Sequence, residues 1–153
     1  MIVLVVEDNP SKRASLIDFY RSEYADDTVL TAASLISGLR TARDNSPDLI
    51  ILDMTLPNYT SDENKPTTGE LLPFAGREFI MRINRMGIAT KIVIVSMFET
   101  FGVAPRFMTL SGLDDELRER YPKIFLGAVH YSLSQGDWKT SIKSARASLG
   151  EAN

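Results

Sequence analysis

The 153-residue sequence lacks cysteine and contains a single histidine, His130. Disulfide bonds, thiolate zinc sites and a cysteine nucleophile are therefore excluded, and one imidazole cannot form a multi-histidine metal site. We interpret His130 as a structural or surface residue. Any chemistry in this protein must rest on carboxylates, hydroxyls, lysines and arginines.

Long hydrophobic runs are also lacking. The apolar start, residues 1–6, ends at Glu7 and Asp8, and no segment approaches the roughly 18 consecutive apolar residues of a membrane-spanning helix. The same acidic residues argue against a signal peptide. We therefore expect a cytoplasmic protein that does not bind membranes.

An excess of basic residues is lacking as well. The 17 lysines and arginines against 20 aspartates and glutamates give a net charge of −3, which argues against direct binding of nucleic acid through bulk charge. The hydrophobic share of 44% and the charged share of 24% are those of an ordinary globular protein. A single domain over residues 1–153 is expected, because no linker divides the chain.

Short apolar runs alternate along the chain with amphipathic segments. The continuous runs Ile2–Val6, Leu49–Leu52 and 92–95 predict strands that are buried on both faces of a parallel sheet. Weaker strands are predicted at 28–32 and 129–133. Helices are predicted between the strands, with caps or starts at Asn9-Pro10, Ser34, residue 77, Ser111 and Asp137. The alternation predicts an α/β fold with helices on both sides of the sheet.

Polar residues follow each of the three apolar runs. Glu7 and Asp8 come after the first, Asp53 after the second and Ser96 after the third. Because ligands of such folds bind at the carboxyl ends of the strands, we expect these side chains to share one edge. Two like charges 4 Å apart repel by about 4 kcal/mol at an effective dielectric of 20, so three carboxylates there require a cation. A site that offers oxygen ligands alone, without thiolates or several imidazoles, favours a hard cation such as Mg²⁺.

A carboxylate beside Mg²⁺ can act as a nucleophile toward phosphorus and form an aspartyl phosphate. Asp53 is the candidate, and the Ser96 hydroxyl is a candidate hydrogen-bond donor to the acquired phosphoryl group. The alternative for Glu7 and Asp8 is a pair of solvated acids at a helix start, where negative charge is favourable. A small hydroxyl such as Ser96 is also common at strand ends.

Four segments resemble the receiver domain of bacterial two-component response regulators: VLVVEDNPSKRASL, PDLIILDMTLP, KIVIVS and LGAVHYSLS. Asp8 and Asp53 are 45 positions apart, close to the spacing typical of that family. The resemblance implies a flavodoxin-like (βα)5 fold whose five-stranded parallel sheet has the order 2-1-3-4-5. It also implies that Asp53 is the phosphoacceptor.

The resemblance further implies roles for the remaining site residues. Glu7, Asp8 and Asp53 would hold Mg²⁺ with the backbone carbonyl of Thr55, while Ser96 and Tyr131 would be the switch hydroxyl and the switch aromatic. The phosphoryl donor would be a histidine kinase or a phosphotransfer protein. Because the chain ends soon after the last predicted helix, we expect output through a protein partner rather than through a DNA-binding domain.

One departure from the family pattern concerns its lysine after the last strand, which pairs with the acceptor aspartate. Alignment places Ser134 and Gln135 there, and Ser134 cannot supply a positive charge. Lys123, Lys139 and Arg106 are candidate replacements. Without such a cation, phosphorylation would be slow, differently switched or absent.

The other departures are two long segments, 58–75 and 97–127. Connections between a strand and a helix usually need only 2 to 6 residues, so we interpret both segments as insertions. The first is polar and leaves the strand edge beside the proposed site, which suits a lid or a partner surface. The second contains a predicted short helix and an apolar stretch suited to docking.

Three functions are compatible with the sequence. The first is a stand-alone receiver domain, which is no enzyme beyond its own phosphorylation and dephosphorylation. The second is a pseudo-receiver of the same fold that binds partners without phosphorylation, as the missing lysine suggests. The third is a small Mg²⁺-dependent phosphohydrolase, disfavoured because Thr55, two residues after Asp53, is not the acid a proton donor requires.

Overall fold

The structure is a computed structural model that describes residues 1–59, 71–102, 105, 107–132 and 136–150. A five-stranded sheet with the order β2-β1-β3-β6-β9 forms its centre, and all neighbouring strands of this sheet are parallel. Taken in chain order, these five strands have the order 2-1-3-4-5, which confirms the flavodoxin-like fold. They are β1 (Ile2–Val6), β2 (Thr28–Ala32), β3 (Leu49–Leu52), β6 (Lys91–Ser96) and β9 (Phe125–His130).

Helices and two short antiparallel strand pairs complete the described part of the chain. None of its helices is long and apolar enough to cross a membrane. The short pairs are β4 (Leu56–Pro57) with β5 (Leu71–Leu72), and β7 (Thr100–Phe101) with β8 (Met108–Thr109). The helices are α1 (Pro10–Glu23), α2 (Leu35–Asn45), α3 (Ala75–Met86), α4 (Leu110–Arg120) and α5 (Asp137–Gly150).

Apolar side chains cover both faces of the sheet. Along β1, Leu4 and Val6 pack toward α2, α3 and α4, whereas Val3 and Val5 pack toward α1 and α5. Successive residues of a strand point to opposite faces, so a sheet with helices on both sides requires continuous apolar strands. The runs seen in the sequence follow from this double burial, and the polar residues are left for the strand ends.

Two predicted helix starts agree with the structure. The Asn9 side chain caps α1 by accepting a hydrogen bond from the Lys12 backbone N–H, and Pro10 is the first helical residue. Ser34 caps α2 and forms a reciprocal capping box with Ser37. Both caps satisfy backbone donors locally, which explains why sequence alone reveals them.

The last predicted strand and three helix starts need correction. The strand is Phe125–His130 instead of 129–133, because its position follows from pairing with β6, including an irregularity between Ile92 and Val93. Helix α4 starts at Leu110, since the Thr109 hydroxyl rather than Ser111 accepts the capping hydrogen bond. Helix α3 starts at Ala75 instead of 77 without a side-chain cap, and Asp137 is the first residue of α5 rather than its cap.

Candidate functional site

The acidic residues meet at the carboxyl edge of the central strands. Backbone hydrogen bonds extend the sheet past the strand ends, from the Glu7 N–H to Ala32 and from the Asp53 N–H to the Val6 carbonyl. One carboxylate oxygen from each of Glu7, Asp8 and Asp53 lies within 4.8 Å of the other two. Glu7 and Asp53 are buried, and Asp8 is half-buried. The structure thus brings together three acids that lie far apart in the chain.

The electrostatics of this acidic cluster reflect its burial. Burial raises the pKa of the Glu7 carboxyl, the Lys12 ammonium opposes this rise, and the Asp53 carboxylate adds to it. Burial, followed by the nearby Asp53 charge, also raises the pKa of Asp8. The raised pKa values mean that the charged forms of Glu7 and Asp8 are disfavoured, first by burial and then by repulsion from Asp53. The cluster therefore favours a bound cation.

Lys12, which is not among the candidate residues predicted from the sequence, supplies one positive charge to the cluster. Its ammonium donates hydrogen bonds to Glu7 Oε2 at 2.9 Å and to the Val95 carbonyl at 2.6 Å, and its Nζ lies 3.2 Å from Asp53 Oδ1. The Lys12 side chain is only 2% exposed. The position of Lys12 in the first turn of the predicted helix could have indicated this role, because the helix dipole disfavours a cation there.

Lys123 and Lys139, two of the candidate replacements for the missing lysine, lie elsewhere. Lys123 lines a cavity at the opposite edge of the sheet, together with Met1 and Asp48. The Lys139 ammonium lies over the rings of Phe19 and Trp138, 5.6 Å and 5.4 Å from their centres. The third candidate, Arg106, and the aligned positions Ser134 and Gln135 are outside the described residues.

Ser96 and Tyr131 lie side by side at the end of β6. The Ser96 hydroxyl is buried, and it both donates to the Phe98 carbonyl and accepts from the Phe98 N–H, each at 3.0 Å. The Tyr131 N–H donates to the Ser96 carbonyl at 2.6 Å, and its ring lies 5.2 Å from that of Trp138. In this state the Ser96 hydroxyl is engaged in the turn that follows its strand.

Residues after β3 orient the Asp53 carboxylate. Asp53 Oδ1 accepts a hydrogen bond from the Met54 N–H at 2.9 Å, and Met54 accepts one from the Gly76 N–H at 2.9 Å. The start of α3 is thereby tied to the strand end that carries Asp53. Thr55 follows in the same turn, half-buried, with its hydroxyl 3.5 Å from the Pro73 carbonyl.

The donor set fits a hard divalent cation. Glu7, Asp8 and Asp53 offer oxygen ligands only, and those oxygens are close enough together to share one ion. Mg²⁺ prefers oxygen ligands, and it commonly binds one or two carboxylates while keeping waters for a phosphate to replace. The residues present are therefore compatible with a magnesium site that faces a phosphoryl group.

The chain is similar in sequence to known proteins over nearly its whole length. No protein-family model matches the chain. The chain is 65% identical over 149 residues to the uncharacterized protein y4jR of Sinorhizobium fredii, covering 97% of this chain and 99% of that protein. It is also 30% identical over 143 residues to the Detocs response regulatory protein DtcB of Enterobacter cloacae, covering 93% of this chain and 95% of DtcB.

A solved structure supports the fold. It is the response regulator protein TrrA of Thermotoga maritima in complex with Mg²⁺ and BeF. The two chains superpose with a TM-score of 0.59 over 94% of this chain and 97% of TrrA, with 18% sequence identity. At this identity the likeness concerns the fold alone, whereas the identity to DtcB extends over nearly the whole sequence.

Proposed function

Because the chain belongs to the response regulator family as a receiver domain, we propose that it signals by accepting a phosphoryl group on Asp53. Receiver domains are in general signalling domains rather than enzymes. The observation that carries the proposal is the convergence of Glu7, Asp8 and Asp53 at one sheet edge. The Met54 N–H holds the Asp53 carboxylate there. Asp53 is 7% exposed and hence shielded from most of the solvent.

Mg²⁺ is the cofactor that we propose for this site. Glu7, Asp8 and Asp53 would hold it through carboxylate oxygens, and the Thr55 backbone carbonyl is proposed as a further ligand. When bound, the ion offsets negative charge on the transferring phosphoryl group and on the carboxylates. The magnesium complex named for TrrA is a property of that protein, and it motivates the same assignment here.

In the proposed transfer, a carboxylate oxygen of Asp53 attacks the phosphorus atom of the donor. A new P–O bond forms while the bond between phosphorus and the donor atom breaks, and the donor atom leaves with the bonding electron pair. From a phosphohistidine, the leaving group is neutral imidazole once the other ring nitrogen carries a proton. The product is an acyl phosphate on Asp53, whose extra negative charge remains at the acidic cluster.

We propose a histidine kinase or a phosphotransfer protein as the donor and a protein as the recipient of the signal. We propose that Ser96 and Tyr131 respond to the phosphoryl group, and the Tyr131 ring centre lies 5.8 Å from Lys12 Nζ. For Ser96, this requires its hydroxyl to leave the turn at Phe98, where it now donates to a backbone carbonyl. Segments 58–75 and 97–127 are proposed to contribute to partner contacts, although residues 60–70, 103, 104 and 106 lie outside the described residues.

The test is phosphorylation with a small acyl phosphate in the presence of Mg²⁺. We expect the wild-type protein to gain an acid-stable, base-labile phosphoryl group that mass spectrometry assigns to Asp53, and to bind beryllofluoride only with Mg²⁺ present. Asp53→Asn should lose both properties, because the amide is a poor nucleophile. Asp44→Asn is the matched control, since Asp44 is an exposed acid on α2 paired with Arg43.

Two results would contradict the proposal. One is wild-type protein that binds no beryllofluoride at millimolar Mg²⁺, which would favour the pseudo-receiver. The other is equal labelling of wild type and Asp53→Asn, which would place the phosphoryl group on another residue.

A further inference from the structure

Lys12 reaches the acidic cluster from the neighbouring helix and contacts the ends of three strands. Its Nζ is 2.9 Å from Glu7 Oε2, after β1, and 3.2 Å from Asp53 Oδ1, after β3. The third oxygen is the Val95 carbonyl near the end of β6, at 2.6 Å. An ammonium has three N–H donors, so three oxygens match its full capacity.

The position of Lys12 is specific rather than incidental. Its side chain is 2% exposed, and a buried ammonium is unfavourable unless its charge and its hydrogen bonds are compensated. The backbone is also fixed, because the Lys12 N–H donates to the Asn9 side chain that caps α1 at 3.0 Å. A cation in the first helical turn faces the positive end of the helix dipole, so the oxygens of the cluster must stabilise it.

We propose that Lys12 binds the phosphoryl group carried by Asp53. This inference rests on the proposed function, since it requires a phosphoryl group there. Because Nζ is 3.2 Å from the acceptor carboxylate, oxygens on a phosphorus attached to that carboxylate lie within reach of the ammonium. The N–H directed at Asp53 turns to a phosphoryl oxygen, while those on Glu7 and Val95 can stay in place.

This assignment accounts for the absence of a lysine at the position that the family resemblance selects, where the sequence has Ser134. The positive charge comes from the first helix instead of from the residue after the last strand. Phosphoryl recognition would thereby become coupled to β6, because Lys12 also donates to the Val95 carbonyl, next to Ser96. The Tyr131 ring centre lies 5.8 Å from Nζ, so a shift of the ammonium also changes its cation–π contact with that ring.

The experiment compares Lys12→Met with Lys139→Met. Both changes remove one positive charge, but Lys139 is exposed and lies over aromatic rings on the α5 side. Beryllofluoride affinity is measured at saturating Mg²⁺, and Mg²⁺ affinity is measured separately without beryllofluoride. We expect Lys12→Met to weaken beryllofluoride binding about tenfold or more, the effect of losing one hydrogen bond between charged groups, and Lys139→Met to leave it unchanged.

Mg²⁺ binding separates this role from simple charge compensation. Lys12→Met should bind Mg²⁺ as well as wild type or more tightly, because a competing cation has been removed. Lys12→Arg, which keeps the charge, should bind beryllofluoride more tightly than Lys12→Met does. If Lys12→Met weakens beryllofluoride binding no more than Lys139→Met does, the proposal is wrong.

A measurement on the wild-type protein keeps the test independent of whether the variant folds. A crystal structure with Mg²⁺ and beryllofluoride should place Lys12 Nζ within hydrogen-bond distance of a fluorine atom. An ammonium that remains on its present three oxygens, away from fluorine, would overturn the proposal. Failure of the proposed function has another signature: the wild-type protein would not bind beryllofluoride at all.

Discussion

Asp27 shows how one residue joins distant parts of the fold. Its carboxylate accepts a hydrogen bond of 2.6 Å from the Tyr20 hydroxyl on α1 and one of 2.8 Å from Arg146 Nε on α5. The Met1 amino group lies 3.1 Å away. The hydrogen bond from Arg146 holds the pKa of Asp27 well below its usual value of 3.8, and the Tyr20 hydroxyl acts in the same direction. Charged Asp27 therefore stabilises the contact between α1 and α5 more than neutral Asp27 does.

We expect Asp27→Asn to lower the free energy of unfolding by about 2 kcal/mol at pH 7, the range for hydrogen bonds to a charged group. Because the folded-state pKa is depressed, this contribution is complete above the unfolded-state pKa near 4. It declines as the pH falls toward the folded-state pKa. Urea unfolding from pH 7 to pH 2.5 should show the difference between wild type and variant shrinking below about pH 4.

The neighbouring Asp26→Asn is the control, because Asp26 is exposed. Its unfolding free energy should stay close to that of wild type throughout the pH range. A difference between wild type and Asp27→Asn that stays constant into acid would show that charge plays no part in the contact.

At the scale of elements, the approach of α3 to the end of β3 positions the acceptor aspartate. Gly76, the second residue of α3, donates its N–H to the Met54 carbonyl at 2.9 Å. A Cβ at this position would lie 2.9 Å from Met54 Cα and 3.0 Å from the Asp53 carbonyl oxygen. Backbone atoms cannot move aside as a flexible side chain can, so this close approach requires glycine.

Gly76→Ala should therefore shift α3 away from the sheet and cost about 2 kcal/mol of stability, as overpacking of a tight interface does. It should also weaken Mg²⁺-dependent beryllofluoride binding, because Asp53 adjoins the displaced backbone. Chemical denaturation and beryllofluoride titration measure the two effects.

Gly150→Ala, at the end of α5, provides the comparison, because a Cβ there would lie 3.9 Å from Arg146 Nη1, an ordinary van der Waals distance. Alanine favours helix, so this variant should match wild type within about 0.5 kcal/mol. Equal stabilities of Gly76→Ala and Gly150→Ala would refute the steric explanation.

At the scale of the whole molecule, the acidic cluster lowers the stability of the folded protein until a cation binds to it. Burial and the Asp53 charge raise the pKa of Asp8, which means that the charged Asp8 side chain disfavours the folded state at neutral pH. A cation bound to the folded protein alone reverses this penalty and adds its binding free energy to the stability of the entire domain.

Asp8→Asn should therefore be more stable than wild type in EDTA at pH 7. Mg²⁺ at a hundred times its dissociation constant should stabilise wild type by about 2.7 kcal/mol and Asp8→Asn far less. Thermal unfolding with and without Mg²⁺ measures both effects, with Asp44→Asn as the matched exposed acid. Equal stabilisation of wild type and Asp8→Asn by Mg²⁺ would argue against Asp8 as a ligand.

The central strands and the first two helix starts could be predicted from the sequence because their determinants are local. Burial on both faces requires the continuous apolar runs at β1, β3 and β6, and the Asn9 and Ser34 caps each bond to a donor three residues away. Glu7, Asp8 and Asp53 could be selected for the same reason, since they lie within two residues after a buried strand.

The tertiary structure decided the rest. Strand β9 is placed by its hydrogen bonds to β6, and α3 starts at Ala75 through contact with Met54 rather than through a cap. Lys12 is the clearest case, because a lysine in the first turn of a helix can extend into solvent or toward the sheet. Its direction depends on oxygens contributed by Asp53 and Val95, which are distant in sequence, so only the folded chain shows that this lysine belongs to the site.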